Sequence, residues 1–149
     1  MARVEGEITI SRPVDLVFDY VADQTNEPQY NSSMVRAEKV TAGPIGKGTR
    51  FRSAVRSAGR TAEMLIEFTD YDRPRLLASA TTMKQADVEY MLRFEPVPEG
   101  TRMRWSGQVR PKGAFRLLGP LITWVGRRQE QRIWQGMKNH LEGPSVSGT

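Results

Sequence analysis

The sequence predicts an α+β fold in which a curved, seven-stranded antiparallel sheet wraps around a long C-terminal helix, with two short helices after the first strand. Two observations predict this class. Between about Met34 and Arg110, strand-like segments of similar length follow one another with turn residues between them, as in an antiparallel meander. After residues 111–113 the apolar side chains recur with the period of a helix, and this pattern continues to Leu141.

The N-terminal segment predicts one strand and one short helix. Residues 4–10 alternate apolar and polar side chains, which is typical of a strand with one buried face. Pro13 suits the first turn of a helix, and Asp15 suits its positive end. The apolar residues that follow have the spacing of one helical face: Val14, Val17, Phe18 and Val21. We expect this helix to end near Ala22, and the polar segment 23–31 to form a loop or a second one-turn helix.

The meander predicts which side chains face the inside of the sheet. Turn residues at 43–48, 57–60, 72–74, 84–85 and 96–100 separate the strands. Because alternate residues of a strand share one face, one parity should lie on the concave, buried face. The residues of that parity are Phe51, Ser53, Val55, Ala62, Met64, Ile66, Phe68, Val88, Tyr90, Leu92, Phe94, Met103, Trp105, Gly107 and Val109.

The opposite parity carries charges whose sign changes from one strand to the next. The two sets are Arg50, Arg52 and Arg56 with Glu63 and Glu67, and Asp87, Glu89 and Glu95 with Arg102, Arg104 and Arg110. Facing pairs on neighbouring strands contribute about 0.2–1 kcal/mol each. Much of the net charge of +5 is therefore expected on the solvent face of the sheet. With no block of like charges and no nucleic-acid motif, this charge does not predict nucleic-acid binding.

Composition excludes several classes of protein. The chain has 149 residues, and we expect a single domain at residues 1–142 followed by a flexible tail at 143–149. It contains no Cys, which excludes disulfide frameworks, thiolate nucleophiles and Cys-based zinc sites. The N-terminus has no apolar signal region, and no stretch reaches the roughly 18 apolar residues that a membrane span needs. We therefore expect a cytoplasmic monomer or homodimer without stable membrane insertion.

The C-terminal helix should present one apolar stripe to the sheet. The residues of this stripe are Phe115, Leu118, Ile122, Val125, Ile133, Met137 and Leu141. Pro120 lies inside the run and follows Gly119. We expect this proline either to separate a short helical turn from the main helix or to kink the helix.

Several short stretches resemble the polyketide cyclase/dehydrase and lipid-transport branch of the helix-grip superfamily, which includes the steroidogenic lipid-transfer (START) domains and the major birch-pollen allergen. These stretches are Ile8-Thr9-Ile10 with Pro13 and residues 17–23, Asn26 with Pro28 and Tyr30, and residues 43–51, 99–102 and 118–121. One departure is Tyr30, where relatives often carry Trp. The resemblance covers nearly the whole chain. It implies the helix-grip fold with a cavity between sheet and helix, and it implies no shared catalytic signature.

The residue types and their spacing do not predict most kinds of catalytic site. Segment 43–49 is rich in glycine, but Gly48 stands where a phosphate-binding P-loop has Ser or Thr, and the segment joins two strands. His140 is the only histidine. Without Cys or a second His, the sequence predicts neither a transition-metal site nor a Ser-His-Asp triad. We expect no cofactor.

Acid–base chemistry would depend on the few polar residues of the concave face. The candidates are Tyr90 and Ser53, with Trp105 as a possible indole donor. In the alternative interpretation, Tyr90 is a core aromatic residue whose hydroxyl finds a hydrogen-bond partner.

The leading hypothesis is that the protein binds a hydrophobic small molecule, such as a lipid, sterol-like or polyketide-like compound, in the cavity that the resemblance implies. The expected lining residues are Phe51, Val55, Met64, Ile66, Phe68, Tyr90, Leu92, Met103, Trp105, Ile122 and Val125. A rival hypothesis is a cofactor-free cyclase or dehydratase that moves protons through Tyr90 or a trapped water in the same cavity. A third is a protein-interaction module whose basic outer face docks an acidic partner.

Overall fold

A computed structural model describes residues 2–57 and 59–143; within these ranges the side chains of residues 2, 57, 115, 118–123 and 125 lie outside the description. The strands alternate with turns along most of the chain. They are β1 (Ala2–Ile10), β2 (Met34–Lys39), β3 (Arg50–Ser57), β4 (Arg60–Asp72), β5 (Leu76–Met83), β6 (Ala86–Val97) and β7 (Gly100–Pro111).

The seven strands form one antiparallel sheet in the order β1-β7-β6-β5-β4-β3-β2. Strands β2 to β7 follow one another as a meander, and β1 pairs with the last strand, so that Gly6 lies opposite Trp105. Register shifts occur between Met34 and Arg36 in β2 and between Phe68 and Asp70 in β4. Such irregularities bend a strand and increase its twist. The predicted fold class is confirmed.

The helices lie at the two ends of the chain. Helix α1 (Val14–Ala22) is followed by a 3₁₀ helix at Gln24–Gln29, and a second 3₁₀ helix at Gly113–Leu118 precedes α2 (Gly119–Glu142). Pro120 lies in the first turn of α2, where the missing N–H removes no helical hydrogen bond. The proline therefore separates a short helical segment from the main helix, as one of the two expectations had it. No helix in the described residues is long and apolar enough to cross a lipid bilayer.

The core forms where both α-helices pack on the concave face of the sheet. Its fully buried members include Val17 and Phe18 of α1, Phe51 and Met103 of the sheet, and Met137 of α2. Phe18 contacts Phe94 edge-on, with ring centroids 5.1 Å apart. The expected flexible tail falls almost wholly outside the described residues and stays a prediction.

The convex face carries the ion pairs that strand parity predicts. Arg50 Nε lies 2.9 Å from Glu67 Oε1, and Arg102 Nη1 lies 3.1 Å from Glu95 Oε1. The expected opposition of Arg110 and Glu89 also occurs, at 3.6 Å. The predicted pairing thus occurs for Arg50, Arg102 and Arg110. Arg52 and Arg56 form no ion pair with the described carboxylates, and Glu63 pairs instead with Arg36 of β2 at 2.6 Å.

Candidate functional site

A cavity of about 380 Å³ lies between the concave face of the sheet and α2. This volume falls within the range of about 300–1,000 Å³ that small-molecule sites occupy. Most of its lining is aliphatic, aromatic or Met side chains. Those among the described residues are Val4, Met34, Val55, Met64, Ile66, Phe68, Leu77, Met83, Val88, Leu92, Val109, Ile133 and Trp134.

A hydrogen-bonded group of three side chains lies in the wall of this cavity. Tyr90 projects from β6, and its hydroxyl donates to Glu130 Oε2 of α2 at 2.5 Å. Trp134 lies one helical turn after Glu130, and its Nε1 lies 2.9 Å from Glu130 Oε2 and 3.0 Å from the Tyr90 hydroxyl oxygen. Because the residues at i and i+4 share a helix face, α2 presents a carboxylate and an indole donor to the sheet together.

Glycine on the neighbouring strand makes room for the Tyr90 ring. Gly107 of β7 lies directly opposite Tyr90 in the register. A Cβ atom at Gly107 would lie 2.9 Å from Tyr90 Cδ2 and 3.2 Å from Val4 Cγ2. A larger side chain at this position would therefore have to displace the ring from its place across the strand.

A second carboxylate reaches the cavity from the 3₁₀ helix that follows α1. Glu27 Oε2 accepts a hydrogen bond of 2.8 Å from Asn31 Nδ2. The Asn31 amide is oriented in turn, because its Oδ1 accepts from the Ser33 backbone N–H at 3.1 Å. Helix α2 packs closely on this segment, since a Cβ atom at Gly136 would lie 2.6 Å from the Tyr30 carbonyl oxygen.

The environment of the two carboxyl groups favours their protonated forms. Burial raises the pKa of Glu27 from 4.5 to about 7, and the charge of Glu130 adds to the rise while the Asn31 hydrogen bond opposes it. Burial also raises the pKa of Glu130, partly offset by the hydrogen bonds from Tyr90 and Trp134. Both side chains are half-buried because they face the cavity, and the surrounding protein displaces most of their bulk water. A carboxyl group whose pKa is near 7 can accept or donate a proton at neutral pH.

Tyr90 remains a proton donor under the same conditions. Burial, and then the charge of Glu130, raise the pKa of its hydroxyl well above 10.0. A neutral hydroxyl beside a carboxylate can orient a ligand oxygen or pass a proton.

Six of the expected lining residues lie in the cavity wall. They are Val55, Met64, Ile66, Phe68, Tyr90 and Leu92. Four other candidates on the concave face, Phe51, Ser53, Met103 and Trp105, are buried in the core and do not line this cavity. The side chains of the remaining two, Ile122 and Val125, lie outside the described residues.

Close packing explains why those four residues lie away from the cavity. The Trp105 ring packs on Trp134 of α2, with centroids 6.1 Å apart, and lies over Gly6, where a Cβ atom would be 2.4 Å from Trp105 Cζ2. Phe51 packs on Phe68 at 5.4 Å between centroids. Ser53 is fully buried, and its Oγ has no hydrogen-bond partner among the described residues. The indole that hydrogen-bonds to Tyr90 is therefore that of Trp134, where the sequence had suggested Trp105.

Sequence reasoning missed both carboxylates of the cavity. A pattern could have identified Glu130, which lies three, four and seven residues before Ile133, Trp134 and Met137 and so interrupts the apolar stripe of the helix. No comparable pattern exists for Glu27, because it lies in a polar segment without periodicity.

The part of the chain that the structure describes contains no cluster of side chains suited to a metal ion. No three of its His, Asp or Glu side chains are grouped so that they could hold one. His140 instead stacks on Tyr20, with ring centroids 5.6 Å apart.

Comparison with known proteins identifies the family. The family model for "Polyketide cyclase / dehydrase and lipid transport" matches residues 1–142. A candidate polyketide cyclase of Streptomyces cyaneus is 31% identical over 107 residues, which are 70% of this chain and 70% of that protein. Another, of Streptomyces halstedii, is 32% identical over 108 residues, covering 69% of this chain and 96% of that protein.

The fold is similar to that of a START superfamily protein from Mycobacterium smegmatis, with a TM-score of 0.81 at 14% identity over 95% of this chain and 98% of that one. The resemblance noted in the sequence and the family model lead to the same family. The chain belongs to the polyketide cyclase/dehydrase and lipid-transport family.

Proposed function

We propose that the protein is a cofactor-free cyclase or dehydratase that binds a mostly apolar, polyketide-like molecule in the cavity between sheet and α2. The observation that carries this proposal is the meeting of Glu27, Glu130 and Tyr90 in the wall of a cavity that is otherwise mostly apolar. The names of the two Streptomyces relatives support the same class of reaction.

Energetics supports a chemical role for the carboxyl groups. Removing a carboxylate from water is costly unless it is paired, and these two have hydrogen-bond donors that carry no charge. A cavity that only held an apolar ligand would bind it through burial of apolar surface, at about 25 cal/mol per Å². Two carboxyl groups in the wall lower that gain, whereas proton transfer requires them.

The proposed chemistry assigns one role to each group. The carboxylate of Glu130, held by Tyr90 and Trp134, takes a proton from the carbon next to a ligand carbonyl, and the enolate attacks a second carbonyl to form the new carbon–carbon bond. Once Glu130 is protonated, the Tyr90 hydroxyl can turn from it and donate its single hydrogen bond to the oxygen on which negative charge develops. The alkoxide formed by this attack takes the proton back from Glu130 and becomes a hydroxyl group. In the dehydration, Glu130 takes a second proton from the carbon next to the hydroxyl-bearing carbon, and protonated Glu27 gives its proton to the hydroxyl, which leaves as water. The proton on Glu130 then passes to Glu27, directly or through solvent, and both groups return to their starting forms.

A carrier for an apolar ligand is the second candidate function. The aliphatic and Met side chains of the lining favour it, because Met adapts to ligands of varied shape. The two candidates differ in what they require of the carboxyl groups. A carrier needs the cavity alone, and an enzyme needs Glu130 as well.

The test separates binding from turnover. Binding of the neutral fluorescent probe N-phenyl-1-naphthylamine measures the apolar cavity, and loss of water from a β-hydroxy aryl ketone, followed by mass spectrometry, measures chemistry. For Glu130→Gln we expect turnover to fall by about 10²-fold or more with probe affinity nearly unchanged. The matched control is Thr81→Val, which changes another polar residue of the wall and should preserve turnover.

Two results would contradict the proposal. Absence of probe binding would remove both candidate functions. Probe binding by a wild-type protein that dehydrates or cyclises none of a panel of β-hydroxy and poly-β-keto compounds would leave the carrier.

A further inference from the structure

A shallow groove runs along the surface of α2 beside the cavity. It has a volume of about 340 Å³ and lies between α2 and the segment before β2. Its described lining consists of Tyr30, Asn31, Ser32, Ser33, Trp124, Arg128, Gln129, Arg132 and Ile133.

The groove and the cavity share one wall. Asn31, Ser33, Gln129 and Ile133 line both spaces. Gln129 is exposed to solvent and also lines the cavity, so the cavity reaches the surface at this point. A molecule that fills the cavity and extends beyond it would therefore lie in the groove.

The charged side chains in the described lining of the groove have one sign. Arg128 and Arg132 line the groove, and no carboxylate is among the described residues of its lining. Arg56 lines the cavity and is exposed, and its backbone N–H donates to the Ser33 carbonyl at 2.7 Å, which places β3 beside the same opening. No ion pair forms between these three arginines and the described acidic residues. Guanidinium groups bind carboxylate and phosphate groups with paired hydrogen bonds.

An exposed aromatic side chain completes the groove. Trp124 is 57% exposed, and the Arg128 guanidinium carbon lies 5.2 Å from the centre of its ring. This contact holds the arginine along the groove, and the indole offers an apolar surface beside it. The groove thus combines a flat apolar wall with positive charge, next to the opening of a mostly apolar cavity.

We infer that this groove binds the anionic end of the ligand, a carboxylate, phosphate or sulfonate group, while the apolar part of the same molecule occupies the cavity. The natural ligand is then an amphiphile or a molecule on an anionic tether. The inference rests on the proposed function only in requiring that the cavity accepts an apolar group. It adds that Arg128 and Arg132 determine specificity for charge.

Two fluorescent probes of one shape test this assignment. N-phenyl-1-naphthylamine is neutral, and 8-anilino-1-naphthalenesulfonate has the same ring system with one added sulfonate. In Arg128→Gln/Arg132→Gln we expect the affinity for the sulfonate to fall about tenfold, since each charge-assisted contact is partly exposed. The affinity for the neutral probe should change less than twofold, which also shows that the variant is folded.

A matched control removes the same charge elsewhere on the same surface. Arg116 and Arg127 are exposed, and neither lines the groove. In Arg116→Gln/Arg127→Gln, affinity for the sulfonate should stay within about twofold of wild type, because neither side chain lines the groove and exposed charges that make no direct contact are weakened by water and salt. Equal losses of sulfonate affinity in the two double variants would assign the effect to net charge and would overturn the assignment of the groove as an anion-binding site.

The remaining outcomes separate the inference from the proposed function. If the neutral probe binds and the loss of Arg128 and Arg132 leaves the sulfonate unaffected, the groove assignment fails and the cavity stands. If neither probe binds to the wild type, both the groove assignment and the proposed function fail. If the same arginines are needed only for sedimentation with phosphatidylglycerol vesicles, with both probes bound normally, they face a lipid surface and the assignment is overturned.

Discussion

Glutamate side chains occur on the convex face of the sheet and, from the helices, in the cavity on its concave side, and their partners differ. On the convex face, Glu67 lies 2.9 Å from the Arg50 guanidinium, and both side chains are largely open to water, at 41% and 53% exposure. In the cavity, the donors to Glu27 and Glu130 among the described residues are neutral: an amide, a phenol and an indole. An arginine keeps a carboxylate ionised, whereas neutral donors in a buried site leave it able to take up a proton. This difference supports the proposed role of the cavity carboxyl groups in proton transfer, whereas the convex carboxylates form surface ion pairs.

The largest effect is expected when the hydrogen-bonded group of Tyr90, Glu130 and Trp134 loses the phenol of Tyr90. In Tyr90→Phe, Glu130 keeps only the Trp134 donor, and no hydroxyl remains to stabilise a developing oxyanion. We expect turnover to fall by about 10²-fold or more, with affinity for N-phenyl-1-naphthylamine changed less than about threefold. Steady-state kinetics and fluorescence titration measure the two. A large loss of affinity with turnover preserved would assign Tyr90 to ligand binding alone.

The pH dependence of stability should distinguish the two faces. Because the pKa of Glu27 is raised from 4.5 to about 7 in the folded protein, the folded state binds more protons between these values. This contribution to stability is therefore fully present below pH 4.5 and is lost as the pH rises through about 7. Glu27→Gln should remove that loss, so that the variant gains about 2–3 kcal/mol relative to wild type between pH 4.5 and pH 8.

Urea unfolding at pH 4.5, 6 and 8 measures this difference. The control is Glu67→Gln on the convex face, for which we expect no comparable change between pH 6 and 8. Because Glu27 is also the proposed proton donor, turnover of Glu27→Gln should fall, and the remaining rate should lose the dependence on pH near 7 that we expect for the wild type. A Glu27 variant whose stability follows the wild-type pH profile would show that this carboxyl group is already solvated.

The next feature to test is the close packing of the Tyr90 ring against Gly107 of β7. Gly107→Ala places a Cβ atom 2.9 Å from the ring, and we expect a loss of about 1–3 kcal/mol in the free energy of unfolding. Because the ring must shift, its hydrogen bond to Glu130 should weaken and turnover should fall with it. The control is Gly46→Ala, where a Cβ atom meets nothing within 4 Å and where we expect a change below about 0.5 kcal/mol. Equal stabilities of the two variants would refute close packing of Tyr90 on β7.

The smallest effect is expected on the convex face. Glu67→Gln breaks the ion pair with Arg50, and because both groups are exposed the loss should stay below about 1 kcal/mol and shrink further in 1 M salt. Turnover should be unchanged. Denaturant unfolding at low and high salt checks this, and a loss of several kcal/mol would mean that the convex pairs are as important to the fold as the core.

Much of the architecture was predictable from local patterns. The period of two in the strands, the turns between them and the helical period to Leu141 depend on residues close in sequence, and the structure confirms the resulting fold. Strand parity also predicted the convex ion pairs, such as Arg50 with Glu67, because hairpin strands lie next to each other. The effect of Pro120 at the start of α2 could also be predicted, because a proline restricts only its own part of the backbone.

The composition of the cavity wall could be predicted only in part. Parity places Phe51, Ser53, Val55, Met103 and Trp105 on the concave face alike, yet only Val55 of these lines the cavity. The difference depends on how far the helices lie from each part of the sheet. Trp105 meets Trp134 across that space, whereas Val55 lies where the space stays open.

The polar side chains of the cavity could also be predicted only in part. Tyr90 could be selected from strand parity. Its partners Glu130 and Trp134 lie on α2, 40 and 44 positions later in the sequence, and contact it only after α2 packs on the sheet. Glu27 belongs to a polar segment that looks solvent-exposed until α2 packs against it at Gly136. Strand and helix periods thus specified the elements and their faces, because these depend on near neighbours in the chain. The packing of α2 on the sheet and on the 3₁₀ helix determined which carboxyl groups lose their water, since burial is a property of distant segments brought together.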